Sequence, residues 1–246
     1  MSETIFSVSV ISIGAMACND MWKEKQPVRT AHATTTLISA GESRILVDPA
    51  LPALALEQRL SERTGLKPAD ITDIFLTCWR PAHRRALKLF TDARWWMGET
   101  ERATARQMLE TTSSKIGPQR DEARALVDED LAQLARTTNA PDKLATGVDL
   151  FPLAGFTPGQ TGLIVALPES TLVIAGGAVA TRDHFLSGRV PPDCYDAKAA
   201  LASLSEIYEI ADIIIPGYDN QFNNPRTFSA ATGLFPEIGS AHLDIG

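Results

Sequence analysis

Residues 77 to 83 read Thr77-Cys78-Trp79-Arg80-Pro81-Ala82-His83, which puts a thiol, a guanidinium and an imidazole close together in the chain. Thiolate sulfur and imidazole nitrogen are both zinc ligands, but zinc sites take four, and the rest of this stretch offers none. Arg80 places a permanent cation among them, and Coulomb repulsion opposes entry of a metal ion there. A second chemistry is nucleophilic, because Arg80 and a protonated His83 would lower the pKa of Cys78. Against it stands the ordinary behaviour of a free cysteine, which is a small buried apolar side chain. A third is electrostatic, with Arg80 drawing an anion into a cleft.

The elements around this stretch can be read from periodicity. Ile71 to Leu76 is a β-branched, apolar run expected as a buried strand, so residues 77 to 83 form the turn at its C-terminal end. Two segments look alike: Thr34 to Asp48, "TTTLISAGESRILVD", and Thr161 to Gly177, "TGLIVALPESTLVIAGG". Each reads as two apolar strands joined by a turn containing Glu-Ser, which suggests two similar halves of one sandwich. Helices are expected over Pro52 to Thr64, closed by Gly65, over Gln119 to Asn139, and over Asp196 to Ile210. In the second of these, Ala123, Leu126, Val127, Leu131 and Leu134 make the face expected to pack on a sheet. Thr91 to Thr112 should begin as loop or strand and turn helical. Gln221 to Gly246 has no clear periodicity.

With those elements placed, "ILVDPALP", Ile45 to Pro52, and "GLKPADITDIFLT", Gly65 to Thr77, resemble the metallo-β-lactamase superfamily. In that family the strand runs into Thr-His-x-His-x-Asp-His, and the matching positions here are Cys78, Arg80, Ala82 and His83. "APDKLATGVDLFPLAGFTPGQTGLIV", Ala140 to Val165, is similar to the segment ending Thr-Pro-Gly-His-Thr, with Gln160 at the histidine. "LVIAGGAVATRDHF", Leu172 to Phe185, is similar to the segment carrying the bridging aspartate in Gly-Asp-Ala, with Gly177 at the aspartate. "IIIPGYDN", Ile213 to Asn220, matches Pro-Gly-His-Asp, with Tyr218 at the last histidine. One ligand position of seven, His83, is unchanged.

The resemblance implies an α/β fold, the four-layer αββα sandwich, and a dinuclear site that has been lost. His83 is the remaining candidate metal ligand, and no cofactor is expected. The family's two divalent ions, two aspartates and hydroxide sum to about +1, and removing the ions with their hydroxide and the aspartates while adding Arg80 again gives about +1. The resulting expectation is a non-hydrolytic cleft for a small anion, or a structural or regulatory role. It would be formed by Asp48, Cys78, Arg80, His83, Gln160, Gly177 and Tyr218, with Arg80 pointing towards His83 or Tyr218. Alternatively, Arg80 turns to solvent or pairs with Asp48 or Asp219. Asp48, similar to an aspartate behind the family's ligands, would need Arg, Thr or backbone donors to stay ionised. The rival readings are a hydrolase with a single metal and a thiol enzyme at Cys78. His32 and His184 read as single loop histidines.

Bulk properties bound the rest. The 246 residues, with 44% hydrophobic and 22% charged, fit one globular domain over 1–246. A net charge of −7 argues against a nucleic-acid footprint, although Arg80, Arg84, Arg85, Lys88 and Arg94 form a basic cluster expected as the solvated face of a helix. Cys18, Cys78 and Cys194 are odd in number and widely spaced, so reduced thiols and a cytoplasmic location are expected. The opening Met-Ser-Glu-Thr does not read as a signal peptide, and no apolar run reaches membrane-spanning length. The oligomeric state is open.

Overall fold

The strands alternate their side chains between two different cores, and that alternation sets the layering. The computed structural model describes residues 6–117 and 120–226, and among these the strands form two six-stranded sheets. The first runs in chain order: β1 (Phe6–Ser12), β2 (Thr35–Ala40), β3 (Ser43–Val47), β4 (Asp73–Leu76), β5 (Arg94–Met97) and β6 (Thr138–Asn139). β1 to β3 are antiparallel neighbours, while β3 to β6 pair in parallel. The second contains β7 (Lys143–Ala145), β8 (Val148–Pro152), β9 (Thr161–Ala166), β10 (Thr171–Gly176), β11 (Ile213–Pro216) and β12 (Phe222–Asn223), also side by side in chain order. Only its β10–β11 pair is parallel.

In β4, Ile74 and Leu76 face outwards with Leu56 and Leu60 of α1 (Ala53–Thr64), while Phe75 faces the other sheet with Leu163 and Ile174. In β10, Leu172 and Ile174 join that inter-sheet core. Val173 and Ala175 pack outwards with Phe185 of α4 (Arg182–Leu186) and with Leu204 and Ile207 of α5 (Ala197–Ile210). Ala105 of α2 (Glu99–Lys115) and Leu134 of α3 (Asp121–Arg136) complete the outer face of the first sheet. Three apolar interfaces between four layers are therefore filled, which is the αββα sandwich expected from the sequence. The two look-alike segments are the hairpins β2–β3 and β9–β10, one in each sheet.

The helix starts and stops have local causes. Gly65 ends α1 in the left-handed region at φ 74°, where its N–H reaches Ser61 O. The carboxylate of Asp196 accepts from Ala199 N–H at the start of α5. Two expectations change. In α3 only Leu134 is buried and Leu126 is 67% exposed, since this helix lies against α2 as well as the sheet edge. The basic run 80–94 is not one helix face but two 3-10 turns and a strand, and four of its five cations, all but Arg85, are paired with acids. Arg84 takes Asp130 through both terminal nitrogens at 2.9 and 2.7 Å, Lys88 takes Glu129, and Arg94 takes Asp73. Gln119, residues 1–5 and the segment 227–246 lie outside the described residues. No helix among the described residues is long and apolar enough to cross a membrane.

Candidate functional site

The parallel strands β3, β4, β10 and β11 all end at one edge of the sandwich, the place where open α/β sheets collect ligands. Asp48 follows β3, Thr77 to His83 follow β4, Gly177 follows β10 and Tyr218 follows β11, while Gln160 precedes β9. The sheets are tied together here by Thr161 N–H donating to Thr77 O at 3.0 Å and Thr34 N–H donating to Gly217 O at 2.6 Å.

At its centre is a buried chain of three side chains. Asp48 sits in the left-handed region, φ 49°, and is 1% exposed. Its Oδ1 accepts Thr77 N–H at 2.9 Å, and its Oδ2 accepts the Thr77 hydroxyl at 2.6 Å and lies 2.8 Å from His83 Nδ1. A carboxylate only accepts, so Nδ1 carries the proton. On the other side of the ring, His83 Nε2 lies 3.0 Å from the Tyr218 hydroxyl. The donors that the sequence required for Asp48 are thus Thr77, twice, and His83, with no arginine among them.

Burial pulls the pKa of His83 down, but the charges of Cys78, Tyr218 and Asp48 and the Asp48 hydrogen bond outweigh it and hold the pKa well above 6.5. Burial pushes the Tyr218 phenol up, against the lowering effect of His83. A histidine whose pKa is raised on folding contributes stability that is complete below the unfolded value and disappears as pH rises through the folded one. The difference in melting temperature between wild type and His83→Gln should therefore be widest near pH 6 and shrink into the alkaline range. A difference that grew with pH would contradict this ion pair.

Around this chain the positions anticipated from sequence come together, but with other partners. Cys78 is completely buried with Ala33, Ala50, Phe156, Ala180 and Tyr218, so the exposed thiol that a nucleophile requires is not there. It fills space as a small apolar group. Gln160 is 1% exposed and donates from Nε2 to Ala175 O at 2.7 Å, while its Oε1 finds no partner. At Gly177 a Cβ would stand 2.1 Å from the ring of Phe156. Phe156 therefore occupies the space that a side chain at 177 would need. His184 is not a loop residue: it lies in α4, fully buried, with Nε2 2.9 Å from Asp20. His32 sits in an isolated bridge with Ala15.

Arg80 differs most from expectation. It pairs with neither Asp48 nor Asp219 and has no hydrogen bond to His83 or Tyr218. Its Nη1 meets Asp193 Oδ2 at 2.6 Å, and its Nη2 donates to Phe156 O at 3.1 Å and Asp193 O at 2.8 Å. The guanidinium carbon stands 3.8 Å from the centre of the Phe156 ring. The charge count that gave about +1 omitted Asp193. Asp48 with His83 and Arg80 with Asp193 make two balanced pairs.

Three residues went unread in the sequence. Phe156 and Asp193 lie in loops whose proximity only the fold creates. Glu101 lies in the first turn of α2, where an acid is commonplace because it complements the helix N-terminus. It is 3% exposed, and accepts Trp79 N–H, the Thr157 hydroxyl and Gly159 N–H at 2.8, 2.8 and 3.1 Å. It thereby clamps the loop after β4 to the loop before β9.

Two clefts flank the Arg80–Asp193 pair. One, of about 390 Å³, is bounded by Met16, Ala31, Ala82, Phe156 and Tyr218. The other, of about 420 Å³, lies against α2 with Trp79, Met108 and Tyr195. Both have the size of small-molecule sites.

The metallo-beta-lactamase superfamily profile matches residues 29–217. No curated protein sequence matches the chain. Among solved structures, a Thermotoga maritima protein assigned to the metallo-beta-lactamases superimposes with a TM-score of 0.65 at 14% identity, over 89% of this chain and 99% of that one. The hydrolase AbOPH gives 0.61 at 16%, covering 90% and 87%. AidC, a dizinc quorum-quenching lactonase with a bound product, gives 0.58 at 18%, covering 83% and 80%. At such identities the likeness speaks for the fold alone.

Proposed function

Because the chain belongs to the metallo-beta-lactamase superfamily, we propose that it keeps the family scaffold without the dinuclear centre and binds a small molecule in the remnant cleft. The observation that carries this reading is the Phe156 ring packed over Gly177, with Arg80 stacked on the ring. An aspartate bridging two ions at 177 has no room there. The remaining chemistry agrees. The one retained histidine directs Nδ1 to Asp48 and Nε2 to Tyr218, so neither nitrogen is available to an ion. Among the described residues no three His, Cys, Asp or Glu side chains gather as a metal-holding group. The donors present do not fit the family's metals.

What the arrangement offers a ligand is an apolar wall, a fixed ring and a seated guanidinium beside a deep hydrogen-bonded relay. Small ligands are held in this way by apolar contact with a few placed polar groups. An anionic group on the ligand is the natural partner for Arg80. Protein purified without chelator should carry well under one equivalent of zinc, iron or manganese, and chelator should leave its melting temperature unchanged. Hydrolysis of β-lactams, lactones and thioesters should stay at background. A tightly held stoichiometric metal in the untagged protein would overturn the reading.

A further inference from the structure

Most of what seats Arg80 does not involve a carboxylate. The Phe156 ring lies under its guanidinium, and the carbonyl oxygens of Phe156 and Asp193 hold Nη2. Only Nη1 is engaged by a carboxylate, that of Asp193. The two partners are unequally anchored, for the Arg80 side chain is 29% exposed and that of Asp193 is 66% exposed. An ion pair open to water on its acidic side contributes about 0–1 kcal/mol, so replacing the acid costs little. The replacement needs no unfolding. The loop is held by backbone bonds that leave the Asp193 side chain uninvolved: Asp193 O on Nη2, Cys194 N–H on Pro191 O and Tyr195 N–H on Phe156 O.

We propose that Asp193 is a tethered competitor for the ligand: its carboxylate holds Arg80 Nη1 in the free protein, and a small-molecule carboxylate takes that place on binding. This rests on the metal-free ligand-binding reading and names the ligand's class. Arg80, Pro81, Phe156 and Asp193 bound both clefts, so the position vacated on Nη1 is reached from either side. The body of the ligand is a flat, apolar group, because the wall beside Arg80 is the Phe156 ring with Met16, Ala31, Ala82 and Pro192. The other acid bounding that cleft, Asp20, is committed to His184 and Arg189 and does not compete for Arg80. Charge balance favours the exchange of like for like. With Asp193 turned out, the seated guanidinium is left with one unmatched positive charge, and a single carboxylate restores neutrality.

Benzoate is a suitable probe, titrated calorimetrically at moderate salt against wild type, Asp193→Asn, Asp193→Ala, Arg80→Ala and Arg80→Lys, with benzamide as the uncharged match. Both Asp193 variants should bind benzoate about fivefold more tightly than wild type, because the internal acid that competes for Arg80 is gone. Arg80→Ala should lose binding, Arg80→Lys should keep part of it, and benzamide should gain nothing from the Asp193 substitutions. Thermal melts establish that each variant is folded, and Asp193→Asn is close to isosteric. Equal benzoate affinity in wild type and both Asp193 variants would overturn the proposal, as would undiminished binding by Arg80→Ala. Absence of binding in every variant of metal-free protein would overturn it while leaving the metal-free reading intact. Binding that depends on a chelatable ion and ignores Asp193 would overturn both.

Discussion

Asp48→Ala is expected to lower the stability of the fold by about 3–5 kcal/mol, the scale on which breaking one side of a buried ion pair acts. The carboxylate serves the Thr77 amide, the Thr77 hydroxyl and the His83 imidazole. Without it these donors remain in the interior with no acceptor, and His83 must give up its charge. Part of the cost could come from the backbone, since alanine at φ 49° suffers a left-handed penalty of about 1–2 kcal/mol. Asp48→Gly separates the two: it removes the same carboxylate and relieves the backbone. Urea denaturation should show both variants strongly destabilised, with glycine slightly the milder. A loss below about 1 kcal/mol for Asp48→Gly would mean that the buried chain contributes no more than an ordinary net hydrogen bond.

Gly177→Asp is expected to cost about 3 kcal/mol or more, because it both overpacks the site and buries a charge with no counter-ion of its own. The new Cβ would meet the Phe156 ring at 2.1 Å, and the ring cannot simply tip away because the Arg80 guanidinium lies on it. In a Phe156→Ala background the steric part of the penalty should vanish, giving a coupling between the two sites that a double-mutant cycle measures. Additive effects would show that Phe156 does not occupy the space. The same clash bears on rebuilding a metal centre. Reverting Cys78, Arg80, Ala82, Gln160, Gly177 and Tyr218 to metal ligands should not create zinc affinity while Phe156 remains, because ligands act as a set around an open position.

The fold was readable in the sequence to the extent that it follows from local periodicity. The alternation in "TTTLISAGESRILVD" and "TGLIVALPESTLVIAGG" gives strands with two buried faces, and Gly65 gives a helix stop, because the pleat and the left-handed terminus are properties of a few adjacent residues. The resemblance carried by Ile45 to Pro52, by Gly65 to Thr77 and by the loops after β10 and β11 placed Asp48, His83, Gly177 and Tyr218 at one edge of the sandwich. It could do so because strand ends meet there whatever side chains they carry. The need of Asp48 for donors was also foreseeable, since an ionised carboxylate behind an apolar strand must be satisfied.

What only the tertiary structure decided was which residue each of these side chains meets. Arg80 and Asp193 are separated by more than a hundred positions, and nothing in either local stretch announces the pair. Phe156 carries no local signal of a role, yet its ring fills the space that a side chain at 177 would need. Glu101, read locally, is a helix-start acid, and only the approach of two loops turns it into their clamp. Electrostatic balance is a sum over everything within a few ångströms, drawn from distant parts of the chain. A count confined to one motif therefore assigned the cleft a positive charge that the folded protein cancels with Asp193.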